Sequence, residues 1–405
     1  MCMQRVAVLS LHTSPLAQPG IGDGGGMNVY VRELVSALAH AGVECTTYVR
    51  STDARAPREV LVEPNHTVVN VPAGAPDLDK SELFGVVPEF TDKVLDHIVA
   101  KGGTDVVHAN YWLSGVSGHS LKHELNVPLV STFHTFARVK ALGGDPESAL
   151  REKSETEVIG CSDAICVSCT EEERQFIDLY GNPPGRIEIV APGVEHAFFA
   201  PGDKRGARRA LELGDGPVLL FVGRIQPLKG VDVAVRSLAE LGRKDAVLLV
   251  VGGASGADGD AEMDGVRALI DELGLAEQVR FVPPQPHHIL STYYRAADAV
   301  LVPSRSESFG LVALEAAACG TPVVANAVGG LLTIVEHGRT GYLVADRRPD
   351  VFARHIGDIL ADPVLADRLS ANAAERALNY TWGFAAARLR RTYADITSRD
   401  RVECR

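Results

Sequence analysis

Short, almost wholly apolar runs alternate along the chain with stretches whose apolar residues recur at helical spacing. In the first half the runs are RVAVLSL (5–11), CTTYVR (45–50), TVVNVP (67–72), DVVHAN (105–110), PLVSTFH (128–134), AICVSC (164–169) and IEIVAPG (187–193). Runs without polar alternation are what strands covered on both faces of a parallel sheet require, and the helical stretches between them supply the crossovers. A looser segment, APGVEHAFFAPGDKRGARRALELGDGP (191–217), crowds proline, glycine and charge, so the domain boundary is expected there. Beyond it the rhythm restarts with VLLFVG (218–223), AVLLVVGG (246–253), VRFVPP (279–284), AVLVPS (299–304), PVVANAVGG (322–330) and GYLVA (341–345). The expected architecture is α/β: two doubly wound, Rossmann-like domains in tandem, facing a cleft at the carboxyl ends of their strands, where ligands of open α/β sheets bind.

In GIGDGGGMNVYVRELVSAL (20–38) a glycine turn separates the first strand from a helix that opens near Asn28 and repeats apolar residues at Val29, Leu34, Val35 and Leu38. Backbone N–H groups at the positive end of a helix suit an anion, and glycines admit its close approach; a merely tight connection is the other reading.

At 405 residues, with 46% hydrophobic and 23% charged residues, the chain is long enough for two cores and has an ordinary globular balance. A formal net charge of −12 argues against nucleic acid as a partner. No apolar stretch reaches the ~20 residues of a membrane span, and the opening MCMQRVAVLSLHTSP reads as the first strand of a cytoplasmic enzyme rather than a leader. Seven scattered cysteines lack the spacing of a disulfide framework. Cys166 and Cys169 form a CxxC, but in a strand their side chains diverge, so buried free thiols are expected instead of a zinc pair.

Candidate chemistry lies near strand ends. In FVGRIQPLKG (221–230), Arg224 and Lys229 can both reach one diphosphate and neutralise the charge it gathers as a leaving group. In VPSRSESFGLVALEAAACGTPVVA (302–325), Glu307 lies in a loop and Glu315 is expected two turns into a helix, where carboxylates accept hydrogen bonds from sugar hydroxyls. Ser308, Phe309, Gly310 and Leu311 bring N–H groups to that helix's start. Cations for phosphates with carboxylates for hydroxyls describe a nucleotide-sugar site.

The GRxxxxKG turn and the ExFGxxxxE stretch resemble those of retaining glycosyltransferases of the GT-B fold, family 4, and the resemblance covers nearly the whole chain. LHTSPLAQPGIGDGGGMNVYV, ANYWLSG and NAVGGL resemble the branch that glycosylates an inositol phosphate in mycothiol biosynthesis. The resemblance implies an N-terminal acceptor domain (1–195), rejoined by a C-terminal helix (382–398) that Trp382 would mark, and a nucleotide-sugar domain (196–381), with residues 193–215 as hinge. It implies UDP-N-acetylglucosamine as donor, meeting Gln18, Pro19, Gly26, Arg224, Lys229, Glu307, Phe309, Gly310, Leu311 and Glu315. Gln285 stands where the family has an arginine in the nucleotide pocket. The phosphorylated polyol acceptor would meet His12, Asp23, Gly24, Gly25, Gly26, Met27, Asn28, Lys80, Tyr111, Thr135 and Arg151. Lys80, Arg151 and the hydroxyls of Tyr111 and Thr135 can together hold a phosphate dianion, and without one two cations would lack a partner.

The catalytic candidates are Arg224, Lys229, Glu307 and His134, the last bonding a sugar hydroxyl instead of acting as a base. No nucleophile of the glycosidase kind is apparent, which favours a front-face path with retained configuration. No cofactor is needed for the chemistry; the family implies a structural magnesium beside Tyr294, Arg295, Ala297 and Thr321, and a homodimer. Other readings are a same-fold transferase with another pair (GDP-mannose to phosphatidylinositol, or nucleotide-glucose to a sugar phosphate), a UDP-N-acetylglucosamine 2-epimerase, and a non-catalytic binder. A lipid acceptor would call for an apolar patch, for which FGVVPEF (84–90) is the candidate.

Overall fold

A computed structural model describes residues 4–20, 24–255 and 259–404. The chain divides into two compact units: Met1–Ala17, Met27–Gly193 and Trp382–Arg405 form the first, and Gln18–Gly26 with Val194–Thr381 the second. Each is built on one sheet.

The first sheet contains β1 (Arg5–Leu9), β2 (Glu44–Arg50), β3 (Glu59–Glu63), β4 (His66–Val71), β5 (Val106–Asn110), β6 (Leu129–Thr132), β7 (Ala164–Val167) and β8 (Arg186–Ile189). Their spatial order is β3-β4-β2-β1-β5-β6-β7-β8, parallel throughout except for the β3–β4 pair. The first strand lies centrally: Val6 pairs with Cys45 on one side and Val106 on the other. Alternate residues feed opposite cores, as strand geometry demands. Val6 and Val8 pack with Tyr30, Leu34 and Leu38 of the helix Gly26–His40 and with Trp382, Leu389 and Tyr393 of the helix Trp382–Thr397. Ala7 and Leu9 join Phe90, Trp112, Leu113 and Phe133 on the other face.

Sequence patterning missed β3. Its EVLVE leaves Leu61 72% exposed, and it is held at the sheet edge by antiparallel pairing with β4 and by Glu59, which meets His97 and Lys101. The apolar runs also overstate the strands: β6 stops at Thr132 and β7 at Val167, because the residues after them turn into loops at the sheet's carboxyl edge. FGVVPEF offers no membrane patch, since Phe90 is fully buried and Phe84 stacks on Trp112. Among the described residues no helix is long and apolar enough to cross a membrane.

In the second unit, β9 (Val218–Val222), β10 (Val247–Val251), β11 (Val279–Val282), β12 (Ala299–Val302), β13 (Val323–Asn326) and β14 (Gly341–Val344) form a parallel sheet in the order β11-β10-β9-β12-β13-β14. Its core gathers Leu219, Phe221, Val235, Leu248, Val250, Leu301 and Phe352. The segment expected to be a loose hinge carries the short helix Lys204–Ala210, and Lys204 and Arg208 both pair with Asp298 just ahead of β12.

Cys166 and Cys169 are buried and not joined to one another, as their place in a strand-like run led us to expect, but one pair elsewhere was not foreseen. Cys45, Cys166 and Cys319 are buried free thiols and Cys169 is buried, whereas Cys161 and Cys404 are joined, 243 positions apart with Cα atoms 4.5 Å from each other. Pairing so distant in sequence leaves no local spacing to read.

Candidate active site

Two groups of functional side chains are described, one in each unit. In the first, β5 and β6 lie side by side, Asn110 opposite Thr132, and each is followed by a residue forced to positive φ: Tyr111 at 75° and His134 at 62°. For non-glycine residues this backbone costs roughly 1–3 kcal/mol and persists where the surroundings fix it. Tyr111 N–H donates to Thr132 O at 2.8 Å, and His134 Nε2 lies 2.9 Å from Asn110 Oδ1, which assigns the proton to Nε2. Burial, and after it the nearby His108, pushes the His134 pKa down to about 3. The ring is therefore neutral at physiological pH, with its one N–H given to Asn110 and Nδ1 as its acceptor, and it is poorly suited to act as a base.

Around Tyr111 the expected acceptor residues converge. The His12 ring lies 4.3 Å from the Tyr111 ring, Lys80 Nζ sits 5.4 Å from its centroid, and the Arg151 guanidinium carbon lies 5.0 Å from it. Arg151 rises from the helix Ala149–Cys161, capped by Ser148, and is 2% exposed. Its Nη1 donates to Tyr111 Oη at 3.2 Å, and Nη2 donates to Thr135 O at 2.8 Å and Oγ1 at 3.1 Å. Here the sequence expectation is revised, because Arg151 does not depend on a ligand for a counter-charge. Its Nε donates to Glu155 Oε1 at 2.7 Å and its Nη1 to Glu147 Oε1 at 2.6 Å. Burial opposes the charge, but Tyr111, Glu155 and Glu147 together hold the pKa raised. The guanidinium is thus fixed in place beside Tyr111 and Thr135 before anything binds.

Asn28 is buried and its amide is spent on the loop ahead of it, donating to Thr13 Oγ1 and Ser14 O, each at 2.6 Å. It holds the chain from Leu11 to Ser14, and thereby His12. Asp23 lies outside the described residues. Met27 is the second residue of the helix Gly26–His40, half-buried against the core below Tyr30.

In the second unit, Gly223 ends β9 and the GRxxxxKG turn follows. Lys229 Nζ donates to Glu307 Oε2 at 2.7 Å, with Ser304 Oγ donating to the same oxygen at 3.2 Å. The predicted cation and the predicted sugar-facing carboxylate are therefore partners of one another. Gly25, which groups with this unit, lies against Arg224: a Cβ there would stand 3.4 Å from Arg224 Nε. Gln18 reaches Pro284 O at 3.2 Å, while the Gln285 amide turns back on Pro283 O at 2.9 Å. Pro19 is half-buried in the same segment.

NAVGGL (326–331) packs beneath ESFG. Gly330 N–H donates to Glu307 O at 2.9 Å, and a Cβ on Gly330 would stand 2.3 Å from Phe309 Cα, so no other residue fits this crossing. Gly310 then caps the helix Leu311–Ala318, directing the N–H groups of its first turn, Leu311 among them, outward. That helix starts later than the sequence suggested, which puts Glu315 one turn in, not two. Glu315 is only 5% exposed; His287 Nε2 lies 2.7 Å from Oε1 and Tyr294 Oη donates to Oε2 at 2.8 Å. His287 was not anticipated: a histidine after PPQP carries no local mark of its distant carboxylate.

At the residues expected beside magnesium, Thr321 Oγ1 donates to Tyr294 O at 2.7 Å and the Arg295 guanidinium is tied to Ala200 O at 2.8 Å. With Ala297, the four supply no carboxylate, so an ion there would rest on main-chain oxygens.

Comparison with known proteins matches the two units separately. Residues 25–193 match the model of the glycosyl transferase 4-like domain, and residues 184–376 that of glycosyl transferases group 1. The D-inositol 3-phosphate glycosyltransferase 2 of Catenulispora acidiphila is 45% identical, covering 98% of this chain and 95% of its own. The D-inositol 3-phosphate glycosyltransferase of Thermobispora bispora is 44% identical over 98% of this chain and 96% of its own. Among solved structures, a sucrose-phosphate synthase from Thermosynechococcus elongatus superposes with a TM-score of 0.91 at 33% identity, covering 97% of this chain and 99% of that one. Anabaena Alr3699/HepE, solved with UDP and glucose, shares the fold at a TM-score of 0.79 and 18% identity, with 97% and 100% covered. With both modules in order and such relatives over nearly its full length, the chain belongs to the GT-B glycosyltransferases of the family that includes the D-inositol 3-phosphate glycosyltransferases.

Proposed function

We propose that this glycosyltransferase moves N-acetylglucosamine from UDP-N-acetylglucosamine to 1D-myo-inositol 3-phosphate with retained configuration, the first step of mycothiol biosynthesis. The observation that carries this reading is the assembly of Arg151, Lys80, Tyr111, Thr135 and His12 around one point in the first unit. Two cations and two hydroxyls suit a phosphate dianion far better than a neutral polyol. The guanidinium, held by Glu147 and Glu155, recognises it by giving up its contacts with Tyr111 Oη and Thr135 Oγ1 to the phosphate, with little ordering cost.

In the second unit the donor's diphosphate is assigned to Arg224, Lys229 and the N–H groups opening the helix Leu311–Ala318. Glu307 is assigned to sugar hydroxyls and Glu315 to the ribose, each oriented by its present partners. As the glycosidic bond breaks, charge builds on the phosphate oxygen, and Lys229 and Arg224 stabilise it. That oxygen takes the proton of the acceptor hydroxyl, which attacks from the same face. His134, neutral and giving its Nε2 proton to Asn110, accepts a hydrogen bond from a sugar hydroxyl at Nδ1.

The test offers purified protein UDP-N-acetylglucosamine, UDP-glucose, GDP-mannose and ADP-glucose against inositol 3-phosphate, inositol 1-phosphate and myo-inositol. Nucleotide release is recorded and the product's anomeric configuration read by NMR. Turnover with UDP-N-acetylglucosamine and inositol 3-phosphate, giving the α-anomer, is expected; preference for GDP-mannose or indifference to the acceptor phosphate overturns the assignment.

A further inference from the structure

Away from the residues assigned to catalysis, the first unit gathers four side chains that could together ligate a metal ion. His119 and His123 stand four residues apart on the helix Trp112–Leu125, hence on one face. Cys161 is the last residue of the helix Ala149–Cys161, and Cys404 comes from the C-terminal segment. One ligand atom from each lies within 4.8 Å of all the others. His123 Nε2 is 3.0 Å from Cys404 Sγ and 3.4 Å from Cys161 Sγ, and His119 Nε2 is 3.6 Å from Cys404 Sγ. In a tetrahedral zinc site with Zn–N near 2.0 Å and Zn–S near 2.3 Å, ligand atoms stand about 3.3–3.8 Å apart. Two of the three nitrogen–sulfur distances fall in that range and the third, at 3.0 Å, falls short of it.

The scaffold holds these groups deliberately. The two helices approach closely because Gly115 packs against Val158, where a Cβ would stand 3.0 Å from Val158 Cγ1. Lys122 and Asp163 form a buried ion pair at 2.9 Å. Lys122 Nζ also donates to Cys161 O at 2.7 Å and to Val402 O at 2.9 Å, while Asp163 Oδ1 accepts from Val402 N at 2.7 Å. Both backbone polar groups of Val402 are thereby fastened, and Cys404 is delivered two residues further on.

We propose that His119, His123, Cys161 and Cys404 form a zinc site that fastens the C-terminal segment to the first unit. A disulfide alone has no use for two imidazoles aimed by Nε2 at its sulfurs, whereas two imidazoles and two thiolates complete a closed structural coordination sphere. Binding displaces one proton from each thiol, so that Zn²⁺ with two thiolates and two neutral histidines has no net charge, as suits a half-covered position. Sulfur–sulfur bonding between Cys161 and Cys404 and zinc binding exclude each other; zinc is the state of the reduced protein.

The experiment uses the full, untagged chain, reduced with a phosphine and titrated with Zn²⁺ against a chromophoric chelator, with bound metal counted by mass spectrometry. One zinc per chain is expected. Cys404→Ser and His123→Ala should each weaken binding by about 100-fold or more, beyond the 10–100-fold that outer-shell changes cost, while His40→Ala, on another helix, should leave it unchanged. Substitution by Co²⁺ in the unmodified chain should give thiolate charge-transfer absorption and the intense visible bands of tetrahedral cobalt, a readout independent of whether any variant folds. Reduced protein that takes up no zinc, a weak octahedral cobalt spectrum, or a Cys404→Ser chain that binds as tightly as its parent overturns the proposal.

Discussion

Lys80→Ala isolates acceptor recognition with little disturbance of the fold. Lys80 opens a short 3-10 turn, Lys80–Val86, is exposed, and places its ammonium 5.4 Å from the centroid of the Tyr111 ring. Removal of Arg151, by contrast, would leave the buried carboxylate of Glu155 without its guanidinium. A charge-assisted hydrogen bond to a phosphate is worth about 1.5–3 kcal/mol, and the solvent around Lys80 favours the lower part of that range. Between about 1.5 and 2.5 kcal/mol corresponds to a loss of roughly 10- to 70-fold in kcat/KM for the phosphorylated acceptor, carried mainly by KM, since the phosphate is bound equally before and during transfer. With myo-inositol the change should stay within about twofold, there being no phosphate to lose. Initial rates of UDP release across both acceptors, at saturating donor, give the two ratios directly. Their salt dependence adds a check: the parent should lose more acceptor affinity than the variant as ionic strength rises. Equal losses with both acceptors, or an undiminished rate with the phosphate ester, would refute the placement of the phosphate over Tyr111.

Lys229→Ala should lower kcat by about 100- to 1,000-fold with every acceptor, because it removes a cation aimed at developing charge; a melting temperature near that of the parent separates this from misfolding. Arg151→Met leaves Glu155 buried without its guanidinium and should destabilise the first unit by about 3–5 kcal/mol, read by denaturant unfolding. Burial raises the Glu172 pKa to about 7 against the hydrogen bonds it accepts from Ser168. The unfolded chain, with an ordinary carboxyl, releases its proton near 4.3. Folding stability is therefore lost as pH rises from about 4.3 to about 7, and Glu172→Gln should flatten that slope, by an amount on the order of 3 kcal/mol at neutral pH. His108 and His134 work in the opposite sense. Burial lowers both to about 3 against an unfolded value near 6.5, so stability is lost as pH falls below about 6.5, and His108→Gln should blunt the acid limb of the unfolding profile.

How much of this was legible in sequence follows from the range over which each signal acts. The strands around VAVL, VLLFV and AVLV are visible because burial on both faces demands uninterrupted apolar residues, and the motif loops because a glycine such as Gly330 answers to local crowding. The residues expected around an acceptor came from family likeness, and of them His12, Lys80, Tyr111, Thr135 and Arg151 stand together. What the chain could not declare were partnerships across long separations: Arg151 with Glu147 and Glu155 is local, yet its meaning depends on Thr135 and Tyr111; His287 meets Glu315 through a neighbouring helix; Cys161 meets Cys404 across most of the sequence. Charged and polar side chains carry no periodicity that reveals which distant group they will face.

The helix Trp382–Thr397 lies in the core of the first unit, its Tyr393 hydroxyl 2.6 Å from His108 Nδ1 and its Trp382 against Tyr30. The ribosome therefore makes the last structural member of the earlier unit only after the entire later one has emerged. Until then Leu34, Leu38 and the strands beneath them have an uncovered apolar flank, a hazard for a nascent chain. Birth order and completion order are reversed in this protein: the middle of the polypeptide can finish folding first, and its beginning must wait for its end.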